Sequence, residues 1–253
     1  MTIFKPVLIQ KSVLVAYWRK YANSVLPWLK GRPVTLEQVF DNKVIYRRYT
    51  DKSHTSLITI DTEKQVNQWA YRHTYSFHPY ICSKGQSSSC WYVLDIDPEN
   101  ISFKKVKYFT KLVVDYISDN YDMPFIAFCG NNGFHIFLEL GIKEQQKVFA
   151  FSKRLSLDIA KYYYTKFFKR YGFYIKLTSK AEQTQLEIEF NLFNSVNKNQ
   201  LKVINLDTRI LHKFANIRSP YSIHPKTGLV SLPVNYNSLL TFSKNMAKID
   251  KLI

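Results

Sequence analysis

The chain has 253 residues, 46% of them hydrophobic, which is enough to fill the core of one large domain or two closely packed modules and excludes general disorder. Its 36 Lys and Arg against 19 Asp and Glu give a formal charge of +17, which points to a polyanionic partner, either nucleic acid or an anionic membrane. No run approaches the roughly 18 apolar residues of a spanning helix, and the opening MTIFKPVLIQKS lacks the apolar core and cleavage site of a signal peptide. A soluble, cytoplasmic protein with no membrane partner is therefore expected.

Through residues 11–30, Val15, Trp18, Ala22, Val25 and Leu26 recur at helical spacing, and Pro27 and then Gly31, Arg32 and Pro33 supply stop signals. Short β-type runs follow at 34–40, 44–49 and 57–60, and a helix is expected over 63–73. The run WYVLDID at 91–97 reads as a buried strand closed by Pro98, since Pro cannot continue a central ladder. Val106, Phe109, Val113, Tyr116 and Ile117 trace a helical face, and strands are expected at 125–129 and 134–140. From 144 to about 171 the spacing of Val148, Phe151, Leu155, Ile159 and Tyr162 marks a long helix, with room for a break into two. Strands at 186–190, 202–206 and 229–232 complete an α/β pattern of the α+β type.

No repeat or Pro/Gly-rich linker divides the chain, so one continuous unit over 1–253 is expected. Cys82, Cys90 and Cys129 show neither a Cys-x-x-Cys pair nor an accompanying His cluster. Three reduced thiols follow, with no disulfide and no zinc.

Asp95 and Asp97 stand two apart on a strand, so their side chains leave one face with Cα atoms about 6.5–7 Å apart. Buried unpaired acids are costly, and Mg²⁺ would relieve them, taking oxygen ligands while keeping water and phosphate in its other positions. The same pair also suits a solvent-facing strand end that caps a turn. In CGNNGFH at 129–135, Gly130 and Gly133 bracket a tight turn whose backbone N–H groups can cradle an anion, with His135 at its exit. An ordinary hairpin with an inward His reads the same way.

A third strand end offers Asp207, followed by Arg218, Ser222, His224 and Lys226. Three carboxylates with a basic cluster are what phosphoryl transfer requires: metals to neutralise developing charge, and cations to hold a triphosphate in line. Glu187 and Glu189 form a rival acid pair alternating with Leu186, Ile188 and Phe190, but no glycine turn or basic cluster adjoins them. Between Lys147 and Lys180, nine basic residues against Asp158 interleave with aromatics such as Tyr162, Tyr164 and Phe168, which fits either a nucleic-acid surface or a helix turning its rings inward.

Taken in order, LDID at 94–97, CGNNGFH at 129–135, and Asp207 with SIHPKTGL at 222–229 resemble the three motifs of the archaeo-eukaryotic primase superfamily. The second and third are most similar to the catalytic small subunit of archaeal primase. IQKS at 9–12, LKGRPVTL at 29–36, HPY at 78–80, SPYS at 219–222 and LPVNY at 232–236 are similar to the polymerase domain of bacterial end-joining ligase D. The resemblance implies an N-terminal α/β module over 1–85 packed on an RRM-like catalytic module over 86–240, with a C-terminal tail over 241–253.

It also implies a metal-dependent nucleotidyltransferase, a polymerase or primase, that adds NTP or dNTP to a nucleic-acid 3′ end. Asp95, Asp97 and Asp207 would be catalytic and bind two Mg²⁺ or Mn²⁺ ions. Cys129, Gly130, Asn131, Asn132, Gly133 and His135 would grip the nucleotide with Arg218, Ser222, His224 and Lys226. Lys5 and Lys11 would recognise the 5′-phosphate of a DNA gap or break, although both also suit solvated lysines beside a helix.

The chain departs from the family pattern at two points. Ser is usual where Cys129 stands, and a basic residue is often found near Asn131 or Asn132. The zinc-binding insertion typical of archaeal primase subunits is missing, which favours the ligase-D-like side. Gap-filling synthesis in end joining, beside a ligase or primase partner in the nucleoid, is the leading expectation. Strand initiation in replication, or an inactive nucleic-acid-binding subunit, are the alternatives.

Overall fold

The computed structural model describes residues 4–83, 89–140, 145–177, 179–190, 202–207 and 215–253. The first helix, α1 (Lys11–Leu29), buries Leu14, Tyr17, Trp18, Ala22, Val25 and Leu29 at the three- and four-residue spacing of one face. It runs through Pro27, a residue expected to stop it. The carbonyl that Pro27 leaves without a helical partner belongs to Asn23, and both residues are exposed, so water takes its place.

The strands β1 (Val34–Phe40) and β2 (Lys43–Arg47) form a hairpin joined by Asp41 and Asn42. Both turn residues have positive φ, 46° and 61°, which is the backbone of a two-residue turn that follows the twist of its strands. Residues 57–60 do not form a strand; Leu57 and Thr59 make single bridges to Tyr49 and Pro33. Helix α2 (Glu63–Ala70) starts on a reciprocal cap between Thr62 and Gln65. Then β3 (Thr74–Pro79) pairs with β1, giving a three-stranded sheet ordered β2-β1-β3. No sequence alternation marked β3, because Thr74, Ser76 and Phe77 are all buried.

The larger sheet is ordered β5-β6-β4-β8-β7, from β4 (Cys90–Glu99), β5 (Phe125–Phe128), β6 (Phe134–Leu140), β7 (Tyr174–Leu177) and β8 (Val203–Leu206). With α3 (Phe103–Ser118) after β4 and α4 (Gln145–Lys166) after β6, the order β4-α3-β5-β6-α4-β8 is a split βαββαβ unit, as in an RRM sheet. The strand β7 is added alongside β8, to which it runs parallel. The long helix expected over 144–171 is broken, as α4 and the single turn α5 (Phe168–Tyr171), which ends on Gly172 at φ 63°.

Tyr92, Leu94 and Ile96 of β4 face the helices, where they pack with Phe109, Val113, Ile159 and Tyr163. Trp91 and Val93 face the other way, towards Ile81, Ile217 and Trp28 of α1, so a smaller apolar cluster joins the two sheets. Residues 215–253 straddle both cores. Ile223 and Val230 enter the N-terminal core, whereas Val234, Leu239, Phe242 and Ala247 enter the larger one. The stretch 241–253 expected as a tail is therefore packed, and 229–232 makes isolated bridges in place of a strand.

Three further expectations are corrected. Pro98 lies within β4 and does not close it. Asp95 and Asp97 share their bonds with the β8 side, so the Pro98 nitrogen points past the end of β6, where no ladder bond is lost. Residues 186–190 belong to helix α6 (Lys180–Phe190), because the good helix formers upstream carry the alternating LEIEF along. There Glu189 pairs with Lys161 at 2.6 Å and Glu187 accepts from Gln183. Finally, Cys82 and Cys90 are direct cross-strand partners with Cα atoms 4.1 Å apart and form a disulfide, leaving only Cys129 as a free thiol.

Candidate active site

Because side chains alternate along a strand, burying Leu94 and Ile96 against the helices turns Asp95 and Asp97 to the opposite face. The register then decides their neighbours. On one side Asp95 pairs with His135 of β6, and on the other Asp97 pairs with Asn205 of β8. One step beyond β8, the Asp207 backbone N–H donates to the Asp95 carbonyl at 3.2 Å, which brings the third acid alongside the first. All three border one cleft of about 410 Å³, together with Glu99, Lys176 and Lys180.

The acids load one another. Burial, then the charges of Asp97 and Asp207, push the Asp95 carboxyl up to about 7, against the opposing pull of Arg218. Burial, Glu99 and Asp207 likewise raise Asp97. As the side chains stand, no group of three or more His, Cys, Asp or Glu among the described residues is gathered tightly enough to hold a metal ion.

His135 sits on the sheet floor, 4% exposed, with Nε2 3.5 Å from Asp95 Oδ1. Burial, followed by the nearby Arg218 guanidinium, pushes it down to about 3, so the ring is neutral. The turn that leads to it is tightly determined. The Cys129 N–H donates to the Gly133 carbonyl at 3.1 Å, and the Gly133 N–H donates to the Cys129 sulfur at 3.2 Å. Burial and the Asp95 charge raise the Cys129 thiol, which stays protonated. A Cβ on Gly133 would stand 1.8 Å from the Ile96 carbonyl oxygen, so the turn is pressed against the strand that carries the acids. Gly130, at φ 86°, lies where a Cβ would meet the His224 Cβ at 2.8 Å.

The segment after Asp207 closes over this turn. Thr227 Oγ1 donates to the Gly130 carbonyl, and the His224 N–H donates to Leu229. Burial, with Arg218 next, pushes His224 down to about 3, and its Nδ1 accepts the Lys226 N–H at 3.2 Å. Lys226 itself is exposed. From the far side of the turn, Lys244 Nζ donates to Asn132 Oδ1.

Arg218 is held by a residue that sequence reasoning missed. Its Nη2 lies 2.9 Å from Glu37 Oε2 and its Nε donates to Ser76 Oγ at 3.0 Å. The same carboxylate receives His78 Nε2 at 3.1 Å and the Tyr46 hydroxyl at 2.8 Å. Burial alone would raise Glu37, but the Arg218 charge and the His78 bond outweigh it and hold the carboxyl well below its usual range. Glu37 is 2% exposed, so a buried ion pair from β1 fixes the guanidinium whose charge acts on Asp95.

Ser222, expected to touch the nucleotide, is turned into the protein interior. It is fully buried, accepts the Phe77 N–H at 3.0 Å and pairs with Ser219, so its role is to pin the segment down. Lys5 and Lys11 are both exposed on the segment leading into and opening α1, and Lys11 Nζ lies 6.0 Å over the Tyr71 ring. Glu37, Tyr46 and Lys244 carried no sequence signal as site residues, whereas His78 lies in the HPY stretch and Lys176 and Lys180 in the basic stretch 147–180.

A family model described as LigD, primase-polymerase domain, matches residues 10–252. Among solved structures, the polymerase domain of Mycobacterium tuberculosis ligase D in complex with DNA is similar with a TM-score of 0.74 at 16% sequence identity, over 100% of this chain and 92% of that one. At that identity the likeness is one of fold. A search of curated proteins found no match.

Proposed function

This chain belongs to the LigD primase-polymerase domain family, a family of nucleotidyltransferases, and on that premise we propose that it fills gaps at broken DNA ends by adding nucleotides to a 3′ hydroxyl. The observation that carries the reading is the bond from Asp207 to Asp95, which sets three acids on one face beside a glycine turn and a fixed arginine.

Asp95, Asp97 and Asp207 are the donor type that a divalent metal takes, and they would have to draw closer together than they stand to hold one. They are oxygen donors on one rim, and the Asp95 carboxyl is raised by burial first and then by the charges of Asp97 and Asp207, a load that a cation would relieve. When bound, Mg²⁺ or Mn²⁺ would lower the pKa of the attacking hydroxyl and neutralise charge on the departing pyrophosphate. The chain's own groups do the rest. The turn at 129–133, closed by its own Cys129 and Gly133 N–H groups, would present the N–H groups of Gly130 and Asn132 to the phosphates. Arg218, locked by Glu37, offers a guanidinium whose position needs no reorganisation during the reaction. His135 and His224 are neutral, so they serve as hydrogen-bonding groups and not as fixed charges.

The experiment is incubation with Mg²⁺ or Mn²⁺ and labelled NTP or dNTP on single-stranded template and on gapped duplex with and without a 5′-phosphate. Extension of the gapped 3′ end, stimulated by the 5′-phosphate, supports the reading. Products that start only on unprimed single strands would replace gap filling with strand initiation.

A further inference from the structure

The turn at 129–133 has a gap in its chemistry. Cys129, Gly130, Asn131, Asn132 and Gly133 include no cation, yet the triphosphate assigned to it is a polyanion. Of the neighbouring basic groups, Lys226 is exposed on the segment that closes over the turn, and the others are committed or buried. Arg218 is paired with Glu37, His135 is 4% exposed against Asp95, and burial keeps His224 uncharged.

A cation arrives from elsewhere in the chain. Lys244 opens a 3-10 turn (Lys244–Ala247) and is 112 residues from Asn132, whose side-chain oxygen accepts from its Nζ. The placement is built. Two residues earlier Phe242 is buried at 3%, with its ring 5.2 Å from Phe128 and 6.2 Å from Phe134, the residues at the inner ends of the two strands flanking the turn. Phe103 stacks on Phe134 at 5.6 Å, and the Lys244 ammonium lies 5.0 Å over the Phe103 ring. Asn132 uses one of the three ammonium donors, which leaves the others for an incoming anion.

We propose that Lys244 is the cation of this phosphate-gripping turn, reaching in from the C-terminal segment to donate to a phosphate oxygen of the incoming nucleotide. The inference rests on the nucleotidyltransferase reading above. It also explains why Phe242 and Ala247 pack the start of this segment against the catalytic sheet: the segment delivers a functional group. Partial burial lowers the Lys244 ammonium pKa, so the group gains more from an anion than a fully hydrated lysine would.

The test uses the full chain and two readouts, the KM and kcat for nucleotide in gap extension, and inhibition by inorganic tripolyphosphate, which carries no base or sugar. Lys244→Met keeps the stem over Phe103 and removes the charge, Lys244→Arg keeps the charge, and Asn132→Lys in the Lys244→Met background places a cation on the turn itself. The expected result is a KM and a tripolyphosphate inhibition constant both raised about tenfold in Lys244→Met, the scale of one lost charge-assisted hydrogen bond. The kcat should stay within about twofold. Lys244→Arg and the double variant should recover most of the loss, at a temperature below every variant's melting point.

Unchanged KM and inhibition in Lys244→Met, or a loss confined to kcat and thermal stability that Asn132→Lys does not restore, would overturn the proposal while wild-type extension kept the wider reading intact. A wild-type chain that incorporates no nucleotide on any template would remove both.

Discussion

The backbone N–H of Asp207 donates to the carbonyl of Asp95 at 3.2 Å, so main chain, and not side-chain rotamer, fixes how the first and third acids approach. A side-chain change there alters charge without moving the strands. Asp97→Asn should therefore fold and bind gapped DNA like the parent, yet lose extension by more than about a hundredfold, since losing a direct ligand exceeds the 10–100-fold typical of an outer-shell partner. Thermal melting gives the second reading. Mn²⁺ should raise the parent's melting temperature by preferential binding to the folded state and leave Asp97→Asn unmoved. An Mn²⁺ shift of equal size in both proteins would place the metal elsewhere.

Glu37 and Arg218 make a different kind of pair, buried, with Tyr46 and His78 also bonded to the carboxylate. Glu37→Gln leaves the guanidinium buried without its counter-charge, at a cost of about 3–5 kcal/mol, and should loosen the group whose charge acts on Asp95. The pH dependence has a defined sign. A carboxyl held below its ordinary 4.5 when folded contributes stability that is complete above about that pH and fades as pH falls towards the folded value. Burial also lowers His78, which adds a loss of the same sign as pH falls below about 6.5. Calorimetry of parent and Glu37→Gln should show their largest gap near neutrality and a shrinking gap below pH 4.5. A gap that widens in acid would contradict the assigned state of Glu37.

Local pattern made the acid strand and the glycine turn legible in the sequence, because LDID and CGNNG each carry their information within a few residues. The run of strand, helix, two strands and a long helix from 91 to 171 followed from periodicity in the same way, whereas the RRM-like sheet was implied by the resemblance alone. What stayed hidden was long-range. Glu37 meets Arg218 across 181 residues and Lys244 meets Asn132 across 112, and neither stretch has a composition that announces a partner. Cys82 and Cys90 sit eight apart with no motif, and only their antiparallel pairing makes them neighbours. At Pro27 and Pro98 the stop rule was sound, but each Pro turns its missing donor to a place where none is needed. Five alternating residues at 186–190 were too few to outweigh the helix formers before them.

Gly133 ties the turn to the acid strand with no room to spare. A methyl there would lie 1.8 Å from the Ile96 oxygen, a backbone atom that cannot swing aside. Gly133→Ala must displace either the turn or the end of β4, at a cost of about 1–3 kcal/mol for overpacking. The displacement falls on the segment between Asp95 and Asp97, so extension should drop with stability, and KM for nucleotide should rise as kcat falls. The comparison is Gly172→Ala, where nothing lies within 4 Å of the added carbon, so the only penalty is a positive φ of 63° and extension should be spared.

Lys11 tests the end-recognition half of the reading. It is exposed at the start of α1, with its ammonium 6.0 Å over Tyr71, and the hydroxyl of that ring receives Arg19 Nη2 at 2.6 Å. A phosphate arriving at Lys11 would thus meet a second cation braced on the same ring. Lys11→Ala should weaken binding to a gapped duplex that carries a 5′-phosphate, and reduce the slope of log affinity against log salt by about one. Binding to the unphosphorylated duplex should fall far less, because only the terminal phosphate is lost from the contact. Anisotropy titrations over a salt series separate the two cases. A lysine that merely adds to the general +17 charge would weaken both duplexes alike, and the phosphate-specific assignment of Lys11 would then fail.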